Sequence, residues 1–144
     1  MQSFKTLQRF LIPGDQLWIF HARPQMRTYA HVVIITEALK FIHVTAPKRL
    51  HLKLILRSKI KEENQHQLLD EKFCFIVRPA FPIEGDPDMF SKRALCCCGI
   101  LFDYDPETAN CETFCNGVHG IWKPSVQVGD SHPNFFFCFL TSYS

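Results

Sequence analysis

Hydrophobic residues in this chain fall into short runs that are separated by turn-forming residues. The runs at positions 16–20, 30–36, 39–45 and 72–78 are rich in β-branched and aromatic residues, which favours β-strands. Two of these runs, 30–36 and 39–45, are so close in the chain that they are predicted to pair as an antiparallel hairpin. The pattern therefore predicts an antiparallel sheet.

The predicted hairpin brings two histidines together. With residues 36–38 as the loop, Ile35 lies opposite Leu39 and His31 lies opposite His43. Directly opposed side chains have Cβ atoms about 5 Å apart, so the two imidazole rings are expected to be neighbours on one face of the sheet. The alternative is that each histidine is a lone ring within an apolar strand, hydrogen-bonded to a backbone group.

Two segments have the spacing of helices. Residues 86–89 (Asp-Pro-Asp-Met) combine an N-cap residue with proline at the first helical position, which predicts a helix that ends near Gly99. A second helix is predicted to begin near Asn110, a favoured N-cap, and to end at Gly117 and Gly120. Its apolar residues share one face: Cys111, Phe114, Cys115 and Val118. The chain is therefore predicted to be an α+β protein, with an antiparallel β-sheet packed against a few helices.

Cys111 is the candidate nucleophile because of its predicted position in the first turn of the second helix. There the positive end of the helix dipole and the unpaired backbone N–H groups favour thiolate over thiol. The alternative is that Cys111 is a small buried apolar residue, as most free cysteines are.

The composition is that of one domain in a reducing compartment. At 144 residues the chain forms a single predicted domain, with a core over residues 12–122 and an apolar tail at 123–144. A net charge of +2 is too small to indicate a nucleic-acid partner. The seven cysteines are an odd number, and three of them are consecutive at 96–98, which suits neither a disulfide framework nor a tetrahedral zinc site. No metal or cofactor is predicted.

Two segments indicate contact with a membrane surface. The chain shows no signal peptide and no apolar run long enough to span a bilayer, which favours a cytoplasmic location. Residues 48–61 alternate leucine with basic residues, as in a half-buried strand with a basic outer face, and residues 135–140 are apolar. These features predict weak peripheral binding to anionic lipid. The alternatives are a solvated strand that its lysines protect from edge pairing, and a last buried strand.

The motifs, taken in chain order, resemble a known family. The matching pieces are residues 13–20 (Pro-Gly-Asp-Gln-Leu-Trp-Ile-Phe), His31 and His43 twelve residues apart, and residues 110–114 (Asn-Cys-Glu-Thr-Phe). Ala46-Pro47 and Gly99 also match. The chain resembles the lecithin retinol acyltransferase (LRAT) and HRAS-like suppressor phospholipase/acyltransferase family, whose fold is a permuted relative of NlpC-type and papain-like cysteine peptidases.

The resemblance implies thiol-dependent acyl transfer or hydrolysis on phospholipid esters, of phospholipase A1/A2 or acyltransferase type. It implies Cys111 as nucleophile, His31 as its base and His43 as the group that orients His31, with a phospholipid as acyl donor. Thr113 stands where the family usually has histidine, and related viral H-box/NC proteins need not be active. The alternatives are therefore a catalytically silent binding or regulatory protein, and a cysteine peptidase or amidase. The enzyme hypothesis further predicts that both histidine rings lie on the sheet face against which the Cys111 helix packs.

Overall fold

The computed structural model describes residues 2–21, 29–45, 56–65, 69, 72–78, 88–105 and 108–120. Its strands are β1 (Gln2–Ser3), β2 (Gln16–His21), β3 (Tyr29–Ile35), β4 (Phe41–His43), β5 (Leu56–Lys59), β6 (Lys61–Glu63), β7 (Phe73–Val77) and β8 (Leu101–Tyr104). Its helices are α1 (Phe4–Leu7), extended by a 3₁₀ turn at Gln8–Phe10, α2 (Met89–Cys97) and α3 (Cys111–Val118). The protein is thus α+β, as predicted.

Six strands form an antiparallel sheet in the order β1-β7-β2-β3-β4-β6, and β5 pairs with β8 in a separate two-stranded sheet. The central strands β2 and β3 are apolar on both faces because both faces are covered. On β3, Val32, Val33, Ile34 and Ile35 are all buried. Residues that point to opposite faces of a strand are buried together only when something packs on each side.

The two faces of the large sheet carry separate hydrophobic clusters. Even-numbered positions of β2 and β3, such as Trp18 and Val32, pack with Ala94 of α2 and with the apolar side of α3. Odd-numbered positions, such as Val33, pack with Phe4 at the start of α1. Helices α2 and α3 therefore cover one face of the sheet, and the N-terminal segment covers the other.

The β3–β4 hairpin forms, but in a different register from the predicted one. Ile35 pairs with Phe41 instead of Leu39, a shift of two residues. The loop is one residue further along the chain than predicted, because the Leu39 N–H donates to the Thr36 carbonyl at 2.9 Å and Leu39 has a φ of +57°. A type I turn followed by a residue in the left-handed region is a common three-residue hairpin loop. A shift of two keeps every side chain on its predicted face.

Two other predicted elements need a correction. Helix α2 begins at Met89 with Asp88 as N-cap, two residues after the predicted N-cap at residue 86, and it ends at Cys97, close to the predicted end. The basic segment 48–61 is predicted as one strand, but its described part is divided at Ile60 between β5 and β6, and β6 pairs with the short strand β4. Residues 86–87, residues 48–55 of the basic segment and the tail at 123–144 lie outside the described residues. Among the helices described, none has the length and apolar character needed to cross a membrane.

Candidate functional site

Cys111 is the first residue of α3, where the sequence predicts it. Asn110 is the N-cap: its side-chain oxygen accepts a hydrogen bond from the Thr113 N–H at 3.1 Å. The Thr113 hydroxyl in turn lies 2.7 Å from the Asn110 N–H, from which it accepts a hydrogen bond. This reciprocal pair satisfies two N–H groups that the first turn of a helix otherwise leaves unbonded. The start of α3 is therefore specified by local sequence.

The Cys111 thiol is buried, and its environment disfavours the thiolate. Removal from water raises its pKa to about 11, against 9.0 for an ordinary thiol. Backbone N–H groups of Val32, Glu112 and Cys111 itself oppose that rise, as a helix start should, while the charge of the buried Glu112 adds to it. Desolvation is the largest of these effects. Burial therefore raises the pKa of Cys111 more than the helix start lowers it.

His31 and His43 are neighbours, as predicted, although the register differs. The Nε2 atom of His31 lies 2.6 Å from Nδ1 of His43, a hydrogen-bond distance. On its other side, Nε2 of His43 lies 3.5 Å from a carboxylate oxygen of Glu63. That carboxylate is also 2.7 Å from the Lys61 ammonium. The four side chains thus form a chain of contacts along β3, β4 and β6, which we call the histidine relay.

Burial favours the neutral form of His43. Burial lowers the pKa of His43 below 6.5, and the nearby Glu63 carboxylate offsets only part of that effect. The pKa of Glu63 is lowered, chiefly by its hydrogen bond with Lys61. Glu63 therefore stays ionised, and His43 can exchange one hydrogen bond with His31 while it remains close to a negative charge. The half-buried His31 ring is the member of the pair nearer to solvent.

Cys111 lies close to the β3 backbone beside His31, because the Val32 N–H donates a hydrogen bond to its thiol. His31 lies between Ala30 and Val32, which both pack in the cluster with Cys111. Its cross-strand partner is Ile19, which belongs to the N-terminal cluster. That both histidine rings lie on the sheet face of the Cys111 helix stays a prediction. Both faces of β3 are apolar, so hydrophobicity alone does not say which face a helix will cover.

No family model, curated protein or solved structure matches this chain.

A buried polar cluster lies where the sequence analysis identified no site. The Gln16 side-chain amide donates to Asn116 Oδ1 at 3.1 Å and lies 3.3 Å from Nδ1 of His119. His119 Nε2 is 2.7 Å from the Gly14 carbonyl, so Nε2 carries the proton and Nδ1 accepts from Gln16. Burial lowers the pKa of His119. These contacts join the end of α3 to β2. The sequence feature that could have indicated them is a glutamine within an otherwise apolar strand.

Metal binding is not indicated by the described part of the chain. No group of three or more histidine, cysteine, aspartate or glutamate side chains in it is arranged to hold a metal ion. In the histidine relay, Glu63 approaches the His43 nitrogen that faces away from His31, so the three side chains do not converge on one point.

Proposed function

We propose that this chain is a binding or regulatory protein on an LRAT-like scaffold and does not use Cys111 as a catalytic nucleophile. The observation that carries the proposal is the burial of the Cys111 thiol, which raises its pKa to about 11. The thiolate is the nucleophilic form of cysteine, so an environment that disfavours the thiolate opposes catalysis by Cys111.

The LRAT-like scaffold is part of this proposal. Its support is the chain order of the elements: a β2–β3–β4 meander that carries the two histidines, followed much later by a cysteine at the start of a helix. The resemblance predicts this order, and the antiparallel pairing of β2, β3 and β4 agrees with it.

The competing proposal is phospholipid acyl transfer through Cys111, with His31 as base and His43 as orienting group. It requires the thiolate of Cys111, which burial disfavours. A cysteine peptidase or amidase would use the same three residues and has the same requirement.

The histidine relay is the candidate recognition site of the proposed binding protein. The His31 ring is half-buried, and its Nε2 atom lies at hydrogen-bond distance from His43, which in turn contacts Glu63. These contacts orient the His31 ring before a ligand binds. An oriented imidazole exchanges hydrogen bonds with a ligand at a lower entropic cost than a mobile one. Protonation of His43, whose pKa burial lowers, would change the donors and acceptors presented, so binding at this site is expected to change with pH below 6.5.

The deciding experiment is incubation of the purified chain with a phosphatidylcholine dispersion, with and without a primary amine, followed by mass analysis of lipid and protein. We expect intact lipid and no acyl adduct on Cys111. Cys111→Ala should behave as the wild type does, and Cys115→Ala provides a matched control on the same helix face. A thioester on Cys111, together with lipid turnover that is lost in Cys111→Ala and in His31→Gln, would refute the proposal and establish acyl transfer.

A further inference from the structure

The buried polar cluster between β2 and the end of α3 is a continuous chain of hydrogen bonds. The Trp18 indole N–H donates to Gln16 Oε1 at 3.1 Å. The Gln16 Nε2 atom donates to Asn116 Oδ1 at 3.1 Å and to His119 Nδ1 at 3.3 Å. The His119 Nε2–H then donates to the Gly14 carbonyl at 2.7 Å. All four side chains are buried, and we call these five residues the glutamine cluster.

The direction of the hydrogen bonds in the glutamine cluster is fixed at both ends. An indole N–H can only donate, so Trp18 determines which end of the Gln16 amide faces it. A carbonyl oxygen can only accept, so Gly14 determines which nitrogen of His119 carries the proton. Gln16 therefore presents its NH₂ group to His119 Nδ1, and Nδ1 can accept from it only while the imidazole is neutral.

Protonation of His119 would set two donors against each other. Nδ1 of the imidazolium carries a hydrogen that points at the Gln16 NH₂ group. Rotation of the Gln16 amide by half a turn would give Nδ1 an acceptor, but it would then set the Trp18 N–H against that same NH₂ group. Either arrangement loses a hydrogen bond in a buried site, where the lost hydration is not replaced. Opening of the cluster to water avoids this conflict.

The charged groups around His119 come from the turn before β2 and from α2. The Asp15 carboxylate favours a protonated His119, but Asp15 also accepts two hydrogen bonds from Arg78, at 2.7 and 2.8 Å. The Arg93 guanidinium of α2, which donates to the Val118 carbonyl at 2.7 Å, opposes protonation. The carbonyl end of α3 favours a cation. Burial is the largest of these influences, and it lowers the pKa of His119 below 6.5.

We propose that the glutamine cluster is a pH-sensitive switch, in which protonation of His119 releases the end of α3 from β2 and exposes the Cys115 thiol. Cys115 lies one turn before His119 on the same side of α3, and its carbonyl accepts a hydrogen bond from the His119 N–H at 3.1 Å. In the closed form the Cys115 thiol is buried and donates to the Val32 carbonyl at 3.5 Å. Burial raises the pKa of Cys115 well above 9.0, so this thiol stays neutral and does not offset the charge of an imidazolium.

The test is the reaction of the full chain with 4,4′-dithiodipyridine, a disulfide that reacts with accessible thiols at both pH 5 and pH 7.5, followed by peptide mapping. The exposed Cys96 reports how the reagent itself responds to pH, so the measured quantity is the ratio of the Cys115 rate to the Cys96 rate. An open cluster gives His119 the ordinary histidine pKa of 6.5. Because the closed cluster excludes the proton, this ratio should be about thirtyfold higher at pH 5 than at pH 7.5.

Two variants separate the switch from a general loss of stability in acid. His119→Gln keeps a donor and an acceptor but cannot take up a proton, so the Cys115 ratio should no longer change with pH. Gln16→Glu offers an imidazolium a carboxylate acceptor and still accepts from Trp18, so Cys115 should stay slow at both pH values.

Two controls should behave differently from those variants. His43→Gln, in the histidine relay, should keep the acid-induced increase at Cys115. Cys74, which is buried in the N-terminal cluster, should react slowly at both pH values in the wild type. An unchanged Cys115 ratio in the wild type would overturn the proposal. So would an increase that Cys74 shares, or one that persists in both His119→Gln and Gln16→Glu.

Discussion

The titration of Cys111 is the sharpest test of its burial. Its pKa of about 11, against 9.0 for an ordinary thiol, lowers the thiolate fraction near pH 7 by about a hundredfold relative to the unfolded chain. Only the thiolate is alkylated at an appreciable rate, and burial also restricts access by the reagent. We therefore expect Cys111 to react with iodoacetamide at least about a hundredfold more slowly in the folded protein than in urea.

The assay is alkylation followed by peptide mapping over a series of pH values, with the exposed Cys96 as internal control. The rate at Cys111 should rise about tenfold per pH unit up to pH about 11. His31→Gln should leave this profile unchanged, because desolvation is the main influence on the pKa of the Cys111 thiol. A rate that levels off below pH 8, or that falls sharply in His31→Gln, would show that an imidazole activates the thiol and would refute the reasoning.

The same shift has a consequence for stability. The pKa of Cys111 is raised in the folded state, so burial of the neutral thiol stabilises the fold fully below pH 9. This stabilisation is lost between pH 9 and pH about 11. The loss is about 3 kcal/mol of unfolding free energy. Cys74 and Cys115 are also buried with raised pKa values and act in the same direction. Urea unfolding across this range should therefore show a shallower decline with pH in Cys111→Ala than in the wild type.

Three further outcomes are expected. Asn110→Ala should lower the unfolding free energy by about 1–2 kcal/mol through loss of the N-cap, while Thr108→Ala, at an exposed position before α3, should change it by less than about 0.5 kcal/mol; urea titration measures both. Leu39→Gly should raise the thermal midpoint, because glycine relieves a left-handed φ of +57° that costs about 1 kcal/mol; a lower midpoint than in Ala38→Gly would contradict this. Burial lowers the pKa of His43 and of His119, so below pH 6.5 the unfolded chain takes up more protons than the folded chain and the unfolding free energy should fall. His43→Gln should weaken that fall in pH-dependent melts, and an unchanged profile would mean that His43 is not buried in neutral form.

The hairpin shows what a sequence pattern leaves undetermined. Alternation of apolar residues in 30–36 and 39–45 identifies both strands, but a slip of two residues preserves the alternation. The turn decides between the registers, and it does so by placing Leu39, a residue that seldom adopts positive φ, in the left-handed region. The Leu39 carbonyl accepts a hydrogen bond from the Gln65 amide at 2.6 Å. This contact comes from a distant segment, so local preference could not predict it.

The start of α3, the two central strands and the proximity of His31 and His43 follow from the sequence by itself, because each depends on residues close in the chain or on the pairing of adjacent strands. The face on which each functional side chain lies was decided only by tertiary structure. Val32 and Val33 are equally hydrophobic, so either face of β3 could have received α3. Packing placed α3 on the face with Val32 and Ile34, and it left Cys111 buried there. The chemistry of Cys111 depends on that choice, because desolvation raises its pKa more than the helix start lowers it.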